Sequence, residues 1–165
     1  MSTPLKTSII LTSQSDWEEW LEILKTNANG AEIWPFVDPS TAKDDLPELK
    51  EPDVPMASDV NPDKTRIAEL TPDEREELSF LRFIHKRRLA QFDRSKAALG
   101  ALAVHIQETV SRTYLTYTFG CETAHDMLVS LRRRAAPTDQ ARRIELLNRY
   151  QDEDGAGLLA GGCQS

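Results

Sequence analysis

No proline interrupts the chain from Asp73 to Cys121, and apolar side chains recur along that stretch at helical spacing. Leu78, Leu81, His85, Leu89, Phe92, Lys96, Leu99, Ala103, Ile106 and Val110 trace one such line. Thr71-Pro72-Asp73-Glu74 opens it. The Thr hydroxyl can accept from the third backbone N–H of a helix, Pro suits the first helical position, and the Glu can reach back to the cap. One long helix, or two meeting between Ser95 and Gly100, satisfies the pattern. Gly100 is the weak point, because Gly costs about 1 kcal/mol against Ala inside a helix. The expected fold class is all-α, a helical bundle.

Shorter helical signals flank this stretch. Ser15 and Glu18 fit a capping box, and Trp17, Trp20, Leu21 and Leu24 follow at i, i+3, i+4 and i+7. Asn29-Gly30 is a helix stop, because Gly accepts the left-handed conformation cheaply. Ile33-Trp34-Pro35-Phe36-Val37 is a short apolar segment in which Pro35 can open one helical turn. Residues 38–70 differ in kind. Five prolines interleave with acids, no apolar period emerges, and the expectation is a long extended or disordered Pro/acid-rich connector. After the long stretch, Arg112 to Phe119 reads as loop or turn. Thr123 with Asp126 can cap a helix carrying Ala124, Met127, Leu128 and Leu131, and Pro137 breaks it. Thr138 can cap a last helix with Ile144, Leu147 and Tyr150. The boundaries expected are a helical segment with a Trp face over 1–37, a linker over 38–70, a helical core region over 71–152 and a flexible Gly-rich tail over 153–165.

The chain of 165 residues carries a net charge of −7, unevenly spread. Asp38 to Glu77 holds 13 acids and 5 bases, net −8, whereas Arg82 to Arg149 holds 13 bases and 6 acids, net +7. An acidic linker thus masks a basic helical half. Arg132, Arg133, Arg134, Arg142, Arg143 and Arg149 are candidates for RNA phosphates, held by charge and counterion release. The plainer reading is a solvated face balanced by the acidic linker. Trp17, Trp20, Leu21, Leu24, Trp34 and Phe36 are candidates either for core packing or for a self-association face, since aromatics are enriched at interfaces.

Nothing in the pattern asks for catalysis. There is no phosphate-binding glycine loop and no Gly-x-Ser-x-Gly nucleophile elbow. His85, His105 and His125 lie 20 residues apart, which is not a helical ligand spacing. His125 and Asp126 are adjacent and would point apart on a helix. Two cysteines, Cys121 and Cys163, cannot make a four-thiolate zinc site. The expectation is a non-enzyme with no cofactor, metal or small-molecule substrate. No apolar run suggests a membrane span, and the patch before Leu11 is too weak for a secretory signal, so a cytoplasmic protein is expected.

The ordered set of residues resembles a known family. Trp17-x-x-Trp20 is followed by Ile33-Trp34-Pro35-Phe36-Val37-Asp38-Pro39 and a Pro-rich acidic gap. A long helix then ends in Ile106-Gln107-Glu108-Thr109-Val110, before Thr123-Ala124-His125-Asp126-Met127-Leu128-x-x-Leu131 and a charged helix. Over roughly Leu11 to Tyr150 this resembles the N-terminal capsid region of Gag polyproteins of copia-type LTR retrotransposons, especially fungal ones. The resemblance implies a homo-oligomer that self-associates into capsid-like particles around the RNA of the transposable element. It implies no catalytic residues. The zinc knuckle Cys-x2-Cys-x4-His-x4-Cys is absent, as is an Asp-Ser/Thr-Gly protease motif. Read through the resemblance, the chain stops before the rest of a capsid region, which implies a truncated copy. Two rival expectations are an RNA-binding helical module acting through the arginine cluster, and a host scaffold or adaptor bundle.

Overall fold

The computed structural model describes residues 9–138, 143–144 and 146–151. Helix α1 spans Trp17–Gly30. The capping box that forms before it is Ser13/Asp16, two residues ahead of the Ser15/Glu18 box expected from sequence. A 3-10 turn at Gln14–Asp16 precedes the helix, and the Asp16 carboxylate closes that turn. Asp16 Oδ2 accepts from the Thr12 hydroxyl at 2.7 Å and from the backbone N–H groups of Thr12 and Ser13, each at 3.1 Å. These bonds, the Thr12 hydroxyl first, hold its carboxyl below the ordinary range. At the other end α1 stops at Gly30, as Asn29-Gly30 suggests. The left-handed residue is nevertheless Glu32, with φ 59°. Trp17, Trp20, Leu24 and Ala28 form the buried stripe. Pro35 does open a single turn, Trp34–Phe36, flanked by buried Ile33 and Val37.

The connector is ordered rather than disordered. Residues 47–56 are free of turns, short 3-10 turns at Lys43–Asp45 and Ile67–Glu69 break the rest, and the carbonyls of Pro39, Thr41 and Pro52 accept no backbone N–H among the described residues. Side chains from distant helices use them. Arg132 donates to the Pro39 carbonyl at 3.1 Å, His125 Nε2 to that of Thr41 at 3.0 Å, and His85 Nε2 to that of Pro52 at 3.3 Å. Helix α2, Ala57–Val60, follows, and Ala57 and Leu70 bury against Leu78 in a small second cluster.

Helix α3 runs without a break from Pro72–Glu108, 37 residues, about 55 Å at 1.5 Å per residue. Gly100 does not divide it. Leu99, Leu102 and Ala103 pack on the main core either side of the glycine, and that packing outweighs its poor propensity. The expected cap is present: Glu74 N–H donates to the Thr71 hydroxyl at 3.2 Å, and Glu74 Oε1 accepts from Thr71 N–H at 3.4 Å. The far end is pinned by the chain's start. Leu11 N–H donates to Thr109 O at 2.8 Å and Ser111 N–H to Leu11 O at 2.9 Å, a parallel bridge of Leu11 with Val110.

Arg112 to Phe119, expected as loop or turn, is two consecutive turns: helix α4, Arg112–Leu115, and a 3-10 turn at Thr116–Thr118. Thr118 donates back to the Leu115 carbonyl at 2.7 Å, so the threonines tighten these turns rather than oppose them. Helix α5, Ala124–Ala135, starts where predicted, with Asp126 N–H on the Thr123 hydroxyl at 3.2 Å. Residues 143–144 and 146–151 are helical. The tail over 153–165, with Cys163, and Arg142 lie outside the described residues. The main core joins α1, the C-terminal half of α3 and α5, with Leu24, Ile33, Ile106, Leu128 and Leu131 fully buried at its centre. The N-terminal half of α3 carries the connector and α2 on one side. The protein is all-α. No helix among the described residues is long and apolar enough to cross a membrane.

Candidate functional site

The three histidines do different work. His85 and His125 hold the connector, as above, and His105 lends its carbonyl to the Thr109 hydroxyl at 2.8 Å. Among the described residues, His125 is the one buried titratable side chain beside open space. Two grooves flank it. One, of about 470 Å³, is lined by Val37, Leu46, Leu99, Ala103 and His125. The other, of about 570 Å³, is lined by Ser40, Lys43, Asp126, Ser130 and Arg133. The imidazole Nε2 is committed to Thr41, and Nδ1 is buried without a hydrogen-bond partner. Asp126 Oδ1 lies 3.9 Å from Nδ1, too far for a hydrogen bond, and turns instead to Lys43 Nζ at 3.6 Å. Cys121, half-buried, is no ready nucleophile: burial, and after it the Asp126 charge, pushes its thiol pKa up. Among the described residues no group of three or more His, Cys, Asp or Glu is placed to hold a metal ion.

The arginines of α5 splay. All three of Arg132, Arg133 and Arg134 are exposed in the last turn, where cations complement the helix dipole. Arg132 is bonded to Pro39, and Arg134 lies over the Tyr117 ring at 5.1 Å. Arg133 lines the polar groove with Lys43. Arg143 and Arg149 are exposed on the helical residues beyond. The tryptophan face turns inward. Trp17, Trp20 and Leu24 are buried within their own chain, and Leu21, Trp34 and Phe36 pack half-buried against them. Trp20 Nε1 donates to the buried Thr109 hydroxyl at 2.9 Å, and the Trp17 and Trp20 rings lie 5.5 Å apart.

No family model, curated protein or solved structure matches this chain. The molecule's own surfaces therefore carry the functional argument.

One surface lies outside the residues singled out from sequence. The outer side of α3 presents Phe80, Phe83, Arg87, Ala90, Arg94, Ala97, Ala101 and Val104, all exposed. Phe80 and Phe83 keep 62% and 59% of their surface in solvent. The Arg87 guanidinium sits 6.0 Å from the Phe83 ring. The inner side, through Leu78, His85, Ser95, Leu102 and Ile106, faces the connector and the core. The sequence did hold a signal for the outer side. Its members are spaced alternately three and four apart, the seam spacing of paired helices, but they interleave with the stronger inner stripe and include two arginines.

Proposed function

We propose that this chain is a non-enzymatic, cytoplasmic structural subunit, Gag-like in kind, that works by self-association. What carries the reading is the outer side of α3, where two phenylalanines stand in solvent on a rigid helix whose other side is already covered. Exposed aromatics grouped on one rigid element favour a protein partner over solvent. The ordered set from Trp17-x-x-Trp20 to Leu131 supports the Gag-like character. Light scattering over a concentration series, with electron microscopy of the concentrated sample, tests it. Mass rising with concentration is expected. A strict monomer at high concentration sinks self-association.

RNA is a second partner for the same subunit. The net charge of +7 over Arg82 to Arg149 and the exposure of Arg133 favour it. Binding to single-stranded RNA should weaken steeply with salt, and Arg133→Ala should reduce the log–log slope by about 0.7. Absence of RNA binding at low salt removes this partner and leaves self-association standing.

A further inference from the structure

We propose that two copies of this chain pair antiparallel along the outer sides of their α3 helices, Phe80 of each packing against Val104 of the other. The inference rests on the self-association reading and gives it a contact. The residues on that side alternate in spacing by three and four, and the alternation reads the same in both directions. Reversing one helix against another therefore brings a first-type position opposite a second-type position at every layer, as antiparallel pairs of helices require. The layers match by size. Phe80 meets Val104, Phe83 meets Ala101, Arg87 meets Ala97, and Ala90 meets Arg94. Every large side chain faces a small one, so the helices can approach closely with few voids.

Charge selects the direction. In a parallel, in-register pair Arg87 would meet Arg87 and Arg94 would meet Arg94, like charges on a drying seam, while alanines would face alanines across a gap. In the antiparallel pair each arginine has an alanine opposite. The Arg94 guanidinium already folds along its own helix, with Nη2 on Gln91 Oε1 at 2.7 Å, which leaves the face of the seam to its stem. The area fits a weak, transient pair. Four phenyl rings that are 62% and 59% exposed supply about 500 Å² at roughly 200 Å² per ring. The alanines, Val104 and the arginine stems bring the total towards the roughly 1,200 Å² at which specific interfaces begin. The connector and core lie on the inner sides, which point away from the partner in this pairing. Two arginines on the seam make the contact weak, dissociating at about micromolar concentration.

Sedimentation equilibrium of the full chain from about 1 μM to about 1 mM tests the pairing. The wild type should pass from monomer to dimer. Phe80→Ala with Phe83→Ala should move that midpoint up by about tenfold or more, with an unchanged circular-dichroism melt because both rings lie outside the core. Disulfide trapping reads the direction, in a Cys121→Ser, Cys163→Ser background. Ala90→Cys chains mixed with Arg94→Cys chains should cross-link to each other, and neither should cross-link well to itself. Self-linking of Ala90→Cys overturns the antiparallel arrangement. Self-association that survives the double alanine variant unchanged overturns this contact but not the structural reading. A wild type that stays monomeric throughout, whatever other partner covers the face, overturns both.

Discussion

At the scale of single residues, two positions separate what a helix tolerates from what it needs. Gly100 lies in the middle of α3, exposed, with nothing within 4 Å of where a Cβ would stand. No close approach or positive φ requires glycine there. Gly100→Ala should therefore stabilise the protein by about 0.5–1 kcal/mol, read as an upward shift of the chemical-denaturation midpoint. Thr109 is the reverse case. Its hydroxyl accepts from the Trp20 indole at 2.9 Å and donates to the His105 carbonyl at 2.8 Å, in a buried setting. Thr109→Val keeps the shape and strands the indole N–H. The expected loss is about 1–3 kcal/mol, with a shifted tryptophan emission as the local signature. Neither outcome follows from composition. The first depends on open space beside a backbone, and the second on two residues 89 positions apart.

At the scale of elements, local chemistry was legible and long-range chemistry was not. The caps at Thr71 and Thr123 could be read because each partner lies three residues away. The cap of α1 was misplaced because Asp16 serves the turn before it, and Ser15 with Glu18 offered the same letters two residues later. The connector was illegible as an ordered element. It has no period of its own, and the side chains that fix it at Thr41 and Pro52 come from 84 and 33 residues away. Its last part does show itself in an ionic contact. Lys64 Nζ reaches Glu74 Oε1 at 2.7 Å, and this ammonium, before any other cause, lowers the Glu74 pKa from 4.5 to about 2. A carboxyl whose folded pKa is depressed supplies stability above its unfolded pKa, and loses it as pH falls through the folded one. The junction of connector and α3 should therefore weaken between pH 4.5 and about 2. Amide exchange at residues 61–75 across that window checks it. In Lys64→Met the pH dependence should shrink, because the ammonium that holds the proton off is gone.

At the scale of the whole molecule, α3 is one rod serving two cores of unequal size. The main cluster gathers α1, α5 and the C-terminal half of the rod around fully buried Ile106, Leu128 and Leu131. The small cluster at the other end holds Ala57, Leu70 and Leu78, with Val60 half-buried beside them. All-α character was legible from periodicity, but this division was not. The same helical spacing runs through Leu78 and Ile106 alike, and only the partners brought by the fold tell them apart. Opening of the small cluster exposes little apolar surface, so it should occur well below the cost of global unfolding. Truncating one residue in each cluster tests the division. Ile106→Ala should cost about 2–5 kcal/mol and lower the cooperative transition followed by emission of Trp17 and Trp20, which belong to the main cluster. Leu78→Ala should leave that transition near its wild-type midpoint and instead speed amide exchange across residues 57–80. If Leu78→Ala lowers the tryptophan transition as far as Ile106→Ala does, the rod transmits unfolding along its full length and the two clusters form one cooperative unit.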